Sequence, residues 1–185
     1  MRFAIMAILA LSFPGLAHAD YGLHVGGHFG YGRMGDDSNG ASQLRDMGTF
    51  DLQAMPGMRL YSRILMLGLM LDYRFMSQLS DDNSLAPFGG RSFLLGPGFM
   101  VELPSAKFLF SYDMRARHYY SGPDTTYKGS GFHFLLGYKL EGNLSVDLEY
   151  VIVRYNDVDV NGDESRIVDH PVKHTNLGFG LSWTY

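Results

Sequence analysis

The sequence predicts an all-β fold, an eight-stranded antiparallel up-and-down β-barrel that spans a membrane. Eight segments alternate large apolar residues with small or polar ones, as strands with one apolar face require. The connections between these segments are short and long in strict alternation. The segment 176–185 also alternates throughout, and its last apolar position is Tyr185.

The first four predicted strands cover residues 21–31, 49–60, 64–75 and 92–103. In the first, large apolar residues alternate with Gly and His. In the second, Phe, Leu and Met alternate with polar residues, and Pro56 predicts a bulge because it cannot donate a ladder hydrogen bond. In the third, every second residue from position 65 to position 75 is Leu, Tyr or Phe. In the fourth, Phe, Leu and Val alternate mainly with Gly and Ser.

The other four predicted strands cover residues 107–120, 131–140, 144–155 and 176–185. In the fifth, Phe108, Phe110 and Tyr112 alternate with Lys107, Leu109, Ser111 and Asp113, and continuing this phase places Arg115 and Arg117 on the same face as Asp113. The sixth, seventh and eighth show the same alternation. A tilted strand of about 9–11 residues crosses the hydrocarbon layer of a bilayer, so these lengths fit a membrane barrel.

The connections predict how the strands are joined. Residues 61–63, 104–106 and 141–143 are short turns, whereas residues 32–48, 76–91, 121–130 and 156–173 are longer and polar. Aromatic residues collect near the strand ends, where the interfaces of a bilayer favour amphipathic rings.

The N-terminal segment predicts a secretory signal peptide over residues 1–19. A basic start is followed by the apolar residues 3–13, and Ala17-His18-Ala19 provides an A-x-A cleavage pattern. The alternative is an amphipathic or buried N-terminal helix. Cleavage after Ala19 would leave residues 20–185 as a single barrel domain.

Composition excludes some classes of protein. The formal net charge of −4 argues against nucleic acid as a partner. The chain has no Cys, so neither a disulfide nor a lipoprotein anchor is expected. No apolar run approaches the roughly 20 residues of a transmembrane helix.

With its signal peptide, alternating strands, unequal loops and aromatic ending, the chain resembles the small outer-membrane barrels of the OmpX and OmpW families and the OmpA membrane domain. The resemblance implies a monomer in the outer membrane, in contact with lipopolysaccharide. It also implies that the barrel-assembly machinery reads the last strand through Phe179, Leu181, Trp183 and Tyr185. A soluble barrel such as a lipocalin is the competing fold. The frequent Gly on the polar face argues against it, because Gly weakens a solvent-facing strand but gives room inside a small barrel.

The polar faces predict a charged lumen. Its predicted charge network consists of Asp51, Arg59, Asp72, Arg74, Glu102, Lys107, Asp113, Arg115, Arg117, Lys139, Asp147 and Glu149. Eight strands leave just enough width for side chains to fill the interior. The main prediction is therefore a lumen plugged by ion pairs, in which Arg115 supports stability, and the alternative is a narrow channel.

Two further patterns point to chemistry. His24 and His28 share one face and predict either hydrogen bonding in the lumen or a metal site. Residues 157–164 resemble the first half of a calcium loop, with oxygen ligands at Asp157, Asp159, Asn161 and Asp163, but Val168 stands where a bidentate Glu is required. The alternative is a solvated acidic loop.

The expected role is structural or surface-interacting, with specificity in the external loops and without catalysis. A narrow pore for small solutes is the first alternative, and an enzyme that modifies lipid A is the second. No His-x-Ser pair accompanies His133, which argues against the enzyme.

Overall fold

The computed structural model describes residues 20–36, 44–61, 63–79, 89–120, 124–166 and 171–185. The predicted signal peptide lies outside this range. The strands are β1 Asp20–Asp36, β2 Arg45–Leu60, β3 Leu65–Gln78, β4 Gly90–Glu102, β5 Ala106–Tyr120, β6 Thr125–Lys139, β7 Leu144–Val160, β8 Asp163–Arg166 and β9 Val172–Thr184. Over the described ranges, no helix has the length and apolar character needed to cross a membrane.

Eight of these strands close into a barrel. Strands β1 to β7 follow one another in the sheet, each antiparallel to the next, and β9 pairs with both β7 and β1. The closing seam runs from His24 opposite Thr184 to Asp36 opposite Val172. Strand β8 pairs only with the end of β7, as a short hairpin. The predicted eight-stranded up-and-down barrel is therefore confirmed.

The two ends of the barrel differ as predicted. The short connections lie together at one end, called here the turn end, where Gly142 takes a φ of 67° that glycine adopts without strain. The long connections lie at the opposite, loop end. Several strands reach further toward the loop end than predicted: β2 begins at Arg45 and β6 at Thr125.

The wall of the barrel has an apolar outside and a charged inside. Large apolar side chains such as Phe29, Met114 and Phe179 are more than half exposed on the outer face, whereas Asp72 and Arg74 are completely buried in the interior. A soluble barrel requires the opposite arrangement, because its apolar faces fill the core. The distribution is that of a barrel surrounded by lipid.

The bulge predicted at Pro56 is wrong. Ala54 pairs with Leu71 and Gly57 pairs with Gly68, so the register between β2 and β3 is unchanged on either side of the proline. The lost ladder bond is tolerated without an extra residue.

A bulge is present instead in the middle of β5. β5 carries an extra residue relative to both neighbouring strands, between Ser111 and Arg115 in its pairing with β4 and between Asp113 and Ala116 in its pairing with β6. Met114 and Arg115 are consequently both exposed, and the inward phase changes from odd to even positions at Ala116. Gly96 of β4 lies beside this bulge, where an added Cβ would meet the carbonyl oxygen of Tyr112.

Candidate functional site in the barrel interior

The candidate site is the charged interior of the barrel. Strand alternation directs most of the predicted charge network inward. The inner face carries Asp51, Arg59, Asp72, Arg74, Glu102, Lys107, Asp113, Lys139, Asp147 and Glu149. These residues form a central group and a smaller group at the turn end.

Arg74 holds the central group together. Its Nη2 lies 2.7 Å from Asp72 Oδ2, 2.6 Å from Glu149 Oε1 and 3.6 Å from Asp51 Oδ2. All four side chains are completely buried. Because an unpaired buried charge is very costly, the three carboxylates and the guanidinium depend on one another.

A second set of contacts extends from this centre toward β9. His28 Nδ1 lies 2.9 Å from Asp51 Oδ1, and His28 Nε2 lies 3.5 Å from Asp147 Oδ2. The ammonium of Lys107 lies 3.3 Å from Asp147 Oδ1 and donates a hydrogen bond to Ser182. The contacts of His28 and Lys107 therefore link β1, β2, β5, β7 and β9 through buried groups.

His133 completes the centre from β6. Its Nε2 lies 3.0 Å from Glu149 Oε1, and its Nδ1 lies 3.8 Å from Asp72 Oδ2. Asp113 is also buried and accepts a hydrogen bond of 3.1 Å from Ser111. His133 thus lies between Glu149 and Asp72, close to Asp113 on the neighbouring strand.

Acidic groups outnumber permanent cations at this level. Arg74 and Lys107 supply the permanent positive charges, and His28 and His133 add further charges only when protonated. Even with both histidines protonated, the cations are fewer than the buried carboxylates, which belong to Asp51, Asp72, Asp113, Asp147 and Glu149. The centre therefore favours bound protons or cations.

The turn-end group is smaller and partly exposed. Arg59 Nη2 lies 3.3 Å from Glu102 Oε2, and Lys139 Nζ lies 3.2 Å from Glu102 Oε1. Glu102 therefore joins β2, β4 and β6 near the mouth of the barrel.

Apolar layers occupy the rest of the interior. One buried cluster consists of Met55, Met66, Met70, Met100, Leu109 and Leu135. The other lies toward the loop end and contains Met34, Met47, Met76, Leu94, Ala116, Val151, Val153, Tyr155 and Val172. Methionine is flexible enough to fill such irregular spaces. Alternation along the predicted strands places all six residues of the first cluster on the inner face, whereas it places Ala116 of the second cluster on the outer face.

A hydrogen-bonded pair that the sequence analysis missed lies beside the loop-end cluster. Ser92 and His118 are buried, with 2.9 Å between Ser92 Oγ and His118 Nδ1, and Ser92 also contacts Met76 Sδ at 3.2 Å. The pair has a nucleophile and a base, but both are enclosed by the wall. His118 escaped notice because the predicted phase of β5 placed it outside.

Arg115 and Arg117 were predicted to belong to the lumen charge network, and this prediction is wrong. Both side chains are exposed on the outer face. The bulge in β5 reverses the alternation after Asp113, so that Ala116 and His118 face inward in their place. The stabilising role predicted for Arg115 inside the lumen has no structural basis.

The segment predicted to hold calcium is a β-hairpin formed by β7 and β8. Asp159 pairs with Glu164, but Asp163 pairs with Val160 and therefore belongs to the opposite face of the hairpin. Asp159 accepts a hydrogen bond from the backbone of Gly162. The structure thus does not bring Asp157, Asp159, Asn161 and Asp163 together as one ligand set.

The residues predicted as an assembly signal line the outer face of β9. Phe179, Leu181, Trp183 and Tyr185 are all exposed there, and the rings of Trp183 and Tyr185 stack with 5.5 Å between centroids. The backbone of Tyr185 exchanges hydrogen bonds with Leu23 of β1. Recognition by the assembly machinery stays a prediction.

The centre also contains the groups best placed to hold a metal ion. Ligand atoms within 4.8 Å of one another form two sets that share Glu149: His28 with Asp51, and His133 with Asp72. Arg74 contacts carboxylates of both sets. A divalent cation would have to compete with this guanidinium. His24, the other histidine predicted as a ligand, instead lies 3.2 Å from Thr184 Oγ1.

No protein-family model matches the chain, and no curated protein sequence is significantly similar to it. Among solved structures, it is similar to Neisserial surface protein A (NspA), with 15% identity and a TM-score of 0.52, over 89% of this chain and 97% of that chain. It also matches Ail, the attachment invasion locus protein of Yersinia pestis, in complex with the heparin analogue sucrose octasulfate, with 12% identity and a TM-score of 0.49, over 89% of this chain and 99% of that chain. The likeness to NspA confirms the predicted resemblance to small eight-stranded outer-membrane barrels at the level of the fold.

Proposed function

We propose that this protein is a closed, non-catalytic barrel of the outer membrane, exported by its N-terminal segment, with a structural or surface-contact role. The apolar outer wall and the buried charged interior support a membrane location. The ion-paired centre is evidence for a rigid plug. The strands that extend past the apolar band toward the loop end are evidence for contacts with molecules outside the membrane.

The single observation that carries this proposal is the ion pair between Arg74 and Glu149. Arg74 is on β3 and Glu149 is on β7, and the barrel order leaves three strands between them on either side. The pair therefore joins diametrically opposite walls, with 2.6 Å between its atoms. A side-chain contact across the full diameter obstructs the axis of a barrel of this size.

A second candidate, a narrow path for protons or small cations, is favoured by a different observation. Buried oxygens of Asp51, Asp72, Asp113 and Glu149 accept no hydrogen bond from any described residue. Buried polar atoms normally have a partner in the protein or in ordered water. The centre thus favours internal water, which a conducting path would also require.

Planar-bilayer conductance distinguishes the two candidates. The refolded protein, checked by its heat-modifiable migration on gels, is expected to insert without discrete current steps. The double variant R74G/E149G removes the contact across the axis and is expected to produce steps, which shows that conduction is detectable. R115G, on the outer wall, is the matched control and is expected to stay silent.

Discrete steps from the unaltered protein would contradict the plug and support the narrow path. The non-catalytic part of the proposal has its own test, the mass of lipid A extracted from cells that express the protein. An unchanged mass is expected, and a change that disappears in the variant S92A would establish an enzyme.

A further inference from the structure

Basic side chains are concentrated on the outer wall just beyond the apolar band. Along the outer face of β7, Leu148 and Tyr150 are exposed apolar residues, and Arg154 follows toward the loop end. Along β5, Phe108, Tyr112 and Met114 are followed by Arg115 and Arg117. We call this group the basic collar; it consists of Arg91, Arg115, Arg117, Lys128, Arg154 and Lys173.

Strand pairing brings collar residues together across β4, β5 and β6, and again across β7 and β9. Arg117 lies directly opposite Lys128 across β5 and β6, and Arg154 lies directly opposite Lys173 across β7 and β9. Arg91 on β4 is a diagonal neighbour of Arg117, roughly 7–8 Å away by the usual spacing of such pairs. The collar therefore spans neighbouring strands at the same edge of the membrane band.

Four of the six side chains of the collar have no ion-pair partner among the described residues. Arg91, Arg115, Arg117 and Arg154 are exposed and form no ion pair with a described residue. Lys128 differs, since Asp159 and Glu164 lie 3.2 Å and 3.0 Å from its ammonium. Like charges placed directly opposite each other destabilise a sheet, so an anion bound beside Arg117 and Arg154 would stabilise this part of the wall.

The described residues on the opposite side of the barrel do not form such a group. Where β1 and β2 leave the apolar band, Arg33 is paired with Asp46 at 3.2 Å, and Tyr31 donates a hydrogen bond to the same carboxylate. The described outer residues of β3 at this level, Phe75 and Ser77, carry no charge. Among the described residues, the excess of positive charge thus lies on one side of the barrel, which is the pattern of a binding surface.

We propose that the basic collar binds the phosphate groups of a phosphorylated glycolipid of the lipid A class in the outer leaflet. The collar begins where the apolar wall ends, which is the depth of lipid headgroups. Guanidinium groups bind phosphate through paired, charge-assisted hydrogen bonds, and several of them are free here. The bulge in β5 serves this surface, because it turns both Arg115 and Arg117 outward. This proposal rests on the outer-membrane location proposed above.

The test is native mass spectrometry of the refolded protein titrated with bisphosphorylated lipid A. The triple variant R91Q/R115Q/R117Q is expected to lose on the order of tenfold or more in affinity, because three charge-assisted contacts are removed. R63Q is the matched control. Arg63 is also exposed but lies at the turn end, paired with Asp20 at 3.1 Å, so binding should not change. Dephosphorylated lipid A should bind weakly to every form.

The collar proposal would be overturned if the triple variant bound lipid A as tightly as the unaltered protein. It would also be overturned if dephosphorylated lipid A bound as tightly as the bisphosphorylated form. Equally tight binding of phosphatidylglycerol would overturn its assignment to a glycolipid. Heat-modifiable migration, measured on the same samples, separates this proposal from the proposed function. A protein that folds and inserts without binding lipid A contradicts the collar alone, whereas a protein that fails to insert contradicts the membrane location.

Discussion

At the scale of single residues, two arginines show how position determines role. Arg74 is completely buried among three carboxylates, whereas Arg115 is exposed on the outer face, just beyond the apolar band. Their chemistry is identical, so the difference in their contributions to stability comes from what surrounds them. A buried charge whose partner is removed remains desolvated, whereas an exposed charge remains solvated.

We expect R74A to lower the free energy of unfolding by about 3–5 kcal/mol, because it leaves Asp51, Asp72 and Glu149 buried without their cation. R115A should change it by about 0.5 kcal/mol or less. Urea titration of protein folded into lipid vesicles measures both values. Fluorescence of Trp183, the single tryptophan, reports unfolding because the ring faces lipid in the folded state. Equal losses in the two variants would contradict the assignment of Arg74 to the core of the plug.

The sequence could predict that Arg74 and Glu149 face inward, but not that they touch. Facing inward is a local property of alternation along one strand. The contact joins residues 75 positions apart and depends on the number of strands and on their stagger around the barrel. For the same reason the sequence predicts that His28, His133 and the lumen carboxylates face inward, but not which carboxylates each histidine contacts.

At the scale of elements, the bulge in β5 is the main departure from the predicted pattern. Both phases of residues 113–118 are chemically acceptable, because Asp113, Arg115 and Arg117 alternate with Met114, Ala116 and His118. The pairing with β4 and β6 decides between them, and it cannot be read from β5 alone. The predicted strands were also too short toward the loop end, because hydrogen-bonded pairing continues beyond the residues that show apolar alternation.

Single-cysteine labelling tests this bulge, since the chain contains no Cys. We expect R117C to react in intact cells with a membrane-impermeant maleimide, because position 117 is exposed toward the loop end. A116C should not react, because Ala116 is buried in the interior. N143C, in an exposed turn at the other end, should react only after the outer membrane is permeabilised. Labelling at position 116 but not at position 117 would show that β5 has no bulge and follows the alternation predicted from the sequence.

At the scale of the whole molecule, closure of the barrel removes the exposed strand edges and fixes the register of every strand. The count of eight strands and the alternation of turns and loops were sufficient to predict this closure. The seam that makes it is the pairing of β1 with β9, in which Tyr31 lies opposite Leu177 and Phe29 lies opposite Phe179. The seam joins the first strand to the last, so its register depends on the pairing of all the strands between them.

A disulfide across the seam tests closure and register together. We expect Y31C/L177C to form a disulfide on mild oxidation, because directly opposite residues lie within the Cα separation that a disulfide spans. Y31C/F179C, offset by two positions, should form little, since diagonal partners are roughly 7–8 Å apart. The closed loop would contain most of the chain, so oxidation should raise the free energy of unfolding by up to about 5 kcal/mol. Migration on non-reducing gels and urea titration provide the two readouts. Efficient bonding in the offset pair would show that the seam has a different register, and bonding in neither pair would show that β9 does not close onto β1.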